Sequence, residues 1–252
     1  MILGIDIGNT TISVAQLRPK SVRALLNVDV EESAGRIRAV LRKALQKDVE
    51  AVYICSVVPQ KTTLVRKVIR KYTGARIFIV GKDVPVAIPN RYRPKRQVGQ
   101  DRLVGAFAAR QLYGAPVIII DFGTAITFDV VNPKGEYEGG IILSGLKLSA
   151  ESLFKKTALL PRVDRIAPPK ALVGKTTRES ILSGLFFGYG AMCRSLVADL
   201  ERLYKGKPKV ILTGGYTRVM QKYMGPRTYL INRNLVFEGL RLLVFKNPLD
   251  KN

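Results

Sequence analysis

Asp6, Gly8, Asn9, Thr10 and Thr11 close an apolar run at the start of the chain. They put a carboxylate at a strand end, a glycine where backbone must come close to something, and an amide and two hydroxyls in the turn. Glycine permits a tight turn whose N–H groups can face a phosphate, and the threonines supply neutral donors. Asp121-Phe122-Gly123-Thr124-Ala125 repeats the arrangement. Ile5-Asp6-Ile7-Gly8 lines up with Ile120-Asp121-Phe122-Gly123 at an offset of 115 positions (121 − 6). Two such loops facing each other across a cleft would hold a polyphosphate from both sides. Thr213-Gly214-Gly215 follows a strand pattern and would let backbone approach a nucleobase or ribose. Either aspartate loop taken alone reads equally as a hairpin capped by Asp and Thr. Gly99-Gln100-Asp101-Arg102 opens a helix, where Asp101 either caps the N-terminus or points outward as a base, and where Arg102 could fork onto a substrate carboxylate. Neither a P-loop nor a dinucleotide-binding Gly-x-Gly-x-x-Gly is present, so phosphate binding would use another architecture.

Composition narrows the chemistry further. The 252 residues include no histidine, which excludes Ser-His-Asp triads, Cys-His dyads and His-ligated metals. Proton transfer must fall to carboxylates, Lys or Tyr. The net charge of +23 is spread along the chain: residues 1–114 carry 21 basic and 8 acidic side chains, and 115–252 carry 21 and 11. Spread charge attracts any anion, nucleotides included, and nucleic acid is not expected as a partner. A local cluster, Arg91, Arg93, Lys95 and Arg96 with Arg102 close behind, reads as a solvated loop or as a funnel for an anionic substrate. Cys55 and Cys193 have no metal or disulfide spacing and fit a reducing cytoplasm. No apolar stretch is expected to approach the ~20 residues of a membrane span, the strongest being Pro116 to Ile120, and no signal peptide is expected.

The elements that must position these residues follow from periodicity. Apolar β-branched runs at 2–7, 11–17 and about 22–28 predict three strands, and a helical face follows between Glu31 and Lys47. A strand at 51–57, a helix at about 60–73, a strand at 76–80, a basic Pro-bearing loop at 85–96 and a helix at about 100–113 complete the first half. The second half restarts the pattern with strands near 117–121, 124–131 and 136–142 and a helix at 147–157. A long helical stretch at about 178–204, a strand at 209–213, a helix at 217–224, a strand at 227–231 and a last helix at 235–246 follow. The halves look like copies. The expected fold is α/β, with two duplicated domains in βββαβαβα order, 1–115 and 116–252, and a nucleotide cleft between them.

Asp6-x-Gly-Asn-Thr, Gly99-x-Asp-Arg, Asp121-x-Gly-Thr-Ala-x-Thr-x-Asp129, Gly139-Gly140-x-Ile142 and Thr213-Gly214-Gly215, with Leu160-Pro161 and Gly174-Lys175-x-Thr177, resemble the type III pantothenate kinases over nearly the whole chain. The resemblance implies ribonuclease-H-like domains of the sugar-kinase, actin and heat-shock ATPase superfamily. It implies ATP-dependent phosphorylation of pantothenate to 4'-phosphopantothenate, the first step of coenzyme A biosynthesis, by a cytoplasmic homodimer. Carried over by position, Asp6, Ile7, Gly8, Asn9, Thr10, Thr11, Ile12 and Ser13 would bind ATP, Asp6 meeting Mg²⁺ through the phosphates, and Thr124 would touch ATP. Asp101 would be the catalytic base. Tyr92, Gly99, Gln100, Asp101, Arg102 and Thr177 would line the pantothenate pocket, Thr177 from the partner subunit. Asp121 would hold a monovalent cation, potassium or ammonium. Where the family usually reads Gly-Gly-x-Ile-x-Pro-Gly, Ser144 stands at the proline position. Two other classes remain: a metal-dependent nuclease, which would need several carboxylates converging on a metal pair, and a non-catalytic nucleic-acid-binding or regulatory relative.

Overall fold

The computed structural model describes residues 1–46, 48–204 and 207–246; Lys47 of the predicted first helix and residues 247–252 of the predicted second domain lie outside them. The chain divides into two compact units, 1–112 with 234–252, and 113–233.

The first unit starts with β1 (Ile2–Ile7), β2 (Thr11–Arg18) and β3 (Ser21–Asp29), joined as antiparallel neighbours. Helix α1 (Ala34–Arg42) begins where the Ser33 hydroxyl accepts the Arg36 N–H, which satisfies one of the unpaired donors of its first turn. Strand β4 (Ala51–Ser56) then pairs parallel with β1. Helix α2 (Pro59–Tyr72) starts on a proline whose fixed φ suits a first helical position. Strand β5 (Arg76–Ile79) extends the sheet, and α3 (Gln100–Tyr113) follows a loop. The sheet order is β3-β2-β1-β4-β5. Central β1 buries Leu3, Ile5 and Ile7 completely, and Ile37 and Leu41 of α1 with Val65, Val68 and Ile69 of α2 pack into the same core.

The second unit repeats this plan. Strands β6 (Val117–Phe122), β7 (Ala125–Val131) and β8 (Tyr137–Ser144) form the antiparallel part. Helix α4 (Leu146–Lys156) follows, and after a long loop come α5 (Thr177–Ser183), a π-helical turn over Gly184–Gly188 and α6 (Tyr189–Leu203). Strand β9 (Lys209–Thr213) pairs parallel with β6. Helix α7 (Thr217–Met220), a 3₁₀ turn and β10 (Leu230–Ile231) end the unit. The order β10-β9-β6-β7-β8 mirrors that of the first sheet, strand for strand. Two similar mixed sheets, each flanked by helices, therefore make an α/β fold of duplicated design. Helix α8 (Leu235–Lys246) then packs on β1, β2 and β3. This differs from the expected single span 116–252: Leu240 and Leu242 are buried in the first unit, and the Leu240 side chain lies against Gly4 of β1.

Two local readings also change. The predicted strand at 227–231 shortens to Leu230–Ile231, and the predicted helix at 217–224 breaks into α7 and the 3₁₀ turn Gln221–Tyr223. The helical stretch Thr177–Leu203 is, by length and composition, long and apolar enough to cross a membrane, contrary to the expectation that no stretch approaches that limit. Polar residues interrupt it, so no unbroken apolar run marks it in the sequence. Its apolar positions, among them Leu182, Phe186, Cys193 and Val197, are core residues of the second unit.

Candidate active site

In the first unit, Asp6 sits at the C-terminal end of β1, in register with Ser13 on β2 and Cys55 on β4. The turn beyond it closes through the Gly8 N–H to the Thr11 carbonyl at 3.0 Å, and the Thr10 carbonyl accepts the Val30 N–H at 2.8 Å. Gly8 does not adopt a left-handed conformation. The nearest atom to a side chain built on it would be the Thr11 carbonyl oxygen at 3.6 Å, so the chain leaves that face open for close approach. Asn9 and Thr10 are exposed, whereas Ile7 and Ile12 are fully buried. Those two isoleucines can meet a ligand only through backbone groups.

Asp101 lies in the first turn of α3, behind Gly99, whose carbonyl accepts the Leu103 N–H. Its Oδ1 accepts the Arg102 N–H at 2.8 Å. A Cβ on Gly99 would fall 2.4 Å from that oxygen, so glycine here lets the carboxylate fold back over the helix start. Burial pushes the Asp101 carboxyl above the ordinary carboxylate range, and the Arg102 N–H and guanidinium and its own N–H oppose the shift. The buried thiol of Cys55 is raised by burial first and then by the charges of Asp6 and Asp101. Both carboxylates thus stand near one thiol, at one end of β1 and β4. Gly81, at φ +83°, gives its missing side chain's place to the Gln100 amide; a Cβ there would lie 2.4 Å from it. Tyr92 donates its N–H to Asn90 Oδ1 at 2.9 Å in the basic loop.

In the second unit Asp121 holds the matching position at the end of β6, in register with Thr127 on β7 and Thr213 on β9. The turn beyond it closes through the Gly123 N–H to the Ala125 carbonyl at 3.1 Å. Gly214 is required by packing: its φ is +91°, and a Cβ would stand 2.3 Å from Asp121 Oδ1 and 2.7 Å from the Phe122 carbonyl. Asp121 and Phe122 therefore fill the space on the Cβ side of Gly214. Gly215 is exposed, with nothing within 4 Å of an added Cβ. Asp129 is buried and accepts the Tyr137 hydroxyl at 2.7 Å, so it serves the sheet. Thr177 is the exposed first residue of α5, and the neighbouring Thr176 performs the capping by accepting the Glu179 N–H.

Among the described residues no group of three or more acidic, Cys or His side chains is placed to hold a metal ion, which argues against the nuclease alternative. A cavity of about 770 Å³ along the C-terminal half of α6, lined by Asp199, Arg202 and Arg227 among others, contains none of the predicted site residues. The sequence alone does not point to Gly81, which leaves room for the Gln100 side chain, and it shows Cys55 only as a free thiol, since its neighbours are known only once the strand register is known.

A protein-family model described as type III pantothenate kinase matches residues 2–199. The type III pantothenate kinase of Persephonella marina is 42% identical over 233 residues, covering 88% of this chain and 90% of that protein. The type III pantothenate kinase of Moorella thermoacetica is 33% identical over 98% of this chain and 100% of its own. Among solved structures, a Campylobacter jejuni protein assigned to the Baf family of transcriptional activators superposes with a TM-score of 0.62 at 17% identity, over 98% of both chains, a likeness of fold alone.

Proposed function

Because the chain belongs to the type III pantothenate kinase family, and so phosphorylates pantothenate with ATP, we propose the following assignment of its residues. Asp101 is the catalytic base. It accepts the proton of the pantothenate hydroxyl as that oxygen attacks the γ-phosphorus of ATP, and the bond from that phosphorus to the bridging oxygen of ADP breaks. The observation that carries this role is the burial of its carboxylate at the start of α3, which raises its proton affinity above that of a solvated aspartate. Gln100, seated against Gly81, and Arg102 orient the substrate with Tyr92, and the Arg102 guanidinium pairs with the pantothenate carboxylate.

The Asp6–Ser13 turn takes the ATP phosphates, its open Gly8 permitting close approach, and Thr124 takes a further contact to ATP. Gly214 and Gly215 offer backbone groups to the nucleotide, and Gly215 also has open space on its side-chain face. Magnesium is commonly held by one or two carboxylates together with substrate phosphates, so a single carboxylate at Asp6 fits it and a dedicated cluster is not needed. A monovalent cation fits the oxygen-rich surroundings of Asp121, between Gly123 and Gly214 with Thr127 and Thr213 in register. When bound, these ions neutralise charge on the transferring phosphoryl group.

Each unit is read as ribonuclease-H-like from its strand order. Its ends are proposed as 1–115 for the first domain, with α8 added, and 116–233 for the second. We assign the protein to the cytoplasm, where the unpaired, buried Cys55 and Cys193 remain reduced. A homodimer is supported by the exposed apolar side chains Ile142, Leu148, Phe154, Leu172 and Val173 of the second unit. Purified protein with ATP, Mg²⁺, K⁺ and pantothenate should release 4'-phosphopantothenate. Nuclease activity without that product, under any cation condition, would overturn the assignment.

A further inference from the structure

Ser144, the last residue of β8, Ser149 in α4 and Tyr189, the first residue of α6, meet through their hydroxyls. The three oxygen separations are 2.7 Å for Ser144 to Ser149, 2.9 Å for Ser144 to Tyr189 and 2.6 Å for Ser149 to Tyr189. Three hydroxyls own three protons, so three mutual bonds make a closed ring in which each donates once and accepts once. Such a ring ties strand, helix and helix together at one point. Bonds in a ring polarise one another, so removing one member weakens what remains.

The π-helical turn Gly184–Gly188 ends immediately before Tyr189. A π turn changes the phase of a helix by about one residue, and such turns are frequent at functional positions. The neighbouring residue on the other side of the ring is Gly145, which is buried against the second phosphate loop. Its N–H donates to the Thr124 carbonyl at 3.0 Å. A Cβ on Gly145 would stand 2.3 Å from the Thr124 carbonyl oxygen and 2.5 Å from that of Gly123. The loop's two peptide groups therefore rest directly on the Gly145 backbone, and any displacement of the Ser144–Gly145 junction must move them.

We propose that the Ser144–Ser149–Tyr189 hydroxyl ring is a positioning element for ATP binding, holding Gly145 so that it fixes the peptide groups of the Gly123–Thr124 turn. Proline at the position of Ser144 would restrain that junction through its ring; here the restraint comes from side-chain hydrogen bonds. The inference rests on the reading that the Thr124 turn contacts ATP.

The test is a double-mutant cycle on the purified enzyme, with KM for ATP, KM for pantothenate and kcat measured for Tyr189→Phe, Ser144→Ala and the pair, beside Thr124→Val. Phenylalanine keeps the aromatic packing of Tyr189 and deletes only the hydroxyl. Each single ring variant should raise KM for ATP about threefold to tenfold, the scale of one lost hydrogen bond, and leave KM for pantothenate within about twofold. The double variant should be no worse than the poorer single, because one deletion already opens the ring. A purely structural role would lower the active fraction and kcat while leaving KM for ATP in place, which would overturn the proposal. Effects that multiply in the double variant would overturn it too. If Thr124→Val raises KM for ATP and Tyr189→Phe does not, the ring proposal fails while the nucleotide assignment stands. If neither raises it, the Thr124 assignment fails and takes the ring with it.

Discussion

Replacing Asp101 by asparagine separates its chemical role from its structural one: turnover should fall while stability holds. Asparagine is nearly isosteric and retains an oxygen that can accept the Arg102 N–H, now made at 2.8 Å. What is lost is the capacity to take a proton. General-base catalysis contributes about 10²- to 10⁴-fold, so turnover should fall by about 10²-fold or more, equivalent to about 2.7 kcal/mol of barrier for each 10². Stability should not fall with it. Burial raises the Asp101 carboxyl in the folded protein, so between the ordinary carboxylate value and the raised one the folded state binds more protons than the unfolded state. Its contribution is then favourable at low pH and is lost as pH rises through the folded value. At neutral pH the wild-type enzyme carries a partly buried charge that the variant lacks. That gain offsets the loss of a charge near the helix N-terminus, worth about 0.3–1 kcal/mol. The assay pairs phosphopantothenate formation with thermal unfolding at pH 7. Wild-type kcat/KM should also fall on the acid side with an apparent pKa above that of a solvated aspartate, and the variant's residual rate should lack that limb. Near-normal turnover in Asp101→Asn would reduce the residue to a helix-start carboxylate. A large loss of stability would show that its charge supports the fold.

Exchange of K⁺ for Na⁺ should lower wild-type activity, and Asp121→Asn should be insensitive to the exchange because its ion site is already impaired; a wild-type enzyme indifferent to Na⁺, K⁺ and NH₄⁺ would remove that role. Gly214→Ala combines a φ of +91° with a Cβ 2.3 Å from Asp121 Oδ1, so it should cost about 1–3 kcal/mol of stability from backbone strain and abolish the response to K⁺. Unchanged melting and an intact K⁺ response would contradict the packing argument. Thr177→Arg and Asp101→Asn, each inactive alone, should complement when their dimers exchange subunits, provided that Thr177 serves the partner's site. Random re-pairing of equal amounts makes half the dimers mixed and about a quarter of all sites intact. Exchange confirmed by mass with no recovered activity would place Thr177 in its own subunit's chemistry or in none.

The order of strands and helices is legible in the sequence because it is written in local periodicity. The short β-branched run Val117 to Ile120 after a helix stop at Gly114-Ala115-Pro116 reads as a buried strand, and the repeat of Ile5-Asp6-x-Gly8 at Ile120 predicts a duplicated plan. The candidate chemistry was legible for the same reason, since Asp6, Asp101 and Asp121 stand at ends of recognisable elements. Where α8 would pack was not legible: its apolar positions fit any sheet face, and only the packing of Leu240 and Leu242 joins it to the first unit. What surrounds Gly214 was not legible, because a glycine with open space beside it and one whose place is filled by Asp121 look alike in one dimension. Ser144 stood out only as a departure from the family's proline, and its meeting with Ser149 and Tyr189 was not legible for the same reason. Hydroxyls 40 and 45 positions apart carry no shared pattern until strand register and the π turn bring them within 2.9 Å. Local backbone preference and hydrophobic period act over a few residues and determine the elements. Which side chain fills a glycine's space, and which hydroxyls close a ring, depends on contacts between elements distant in the chain, and those exist only in the folded protein.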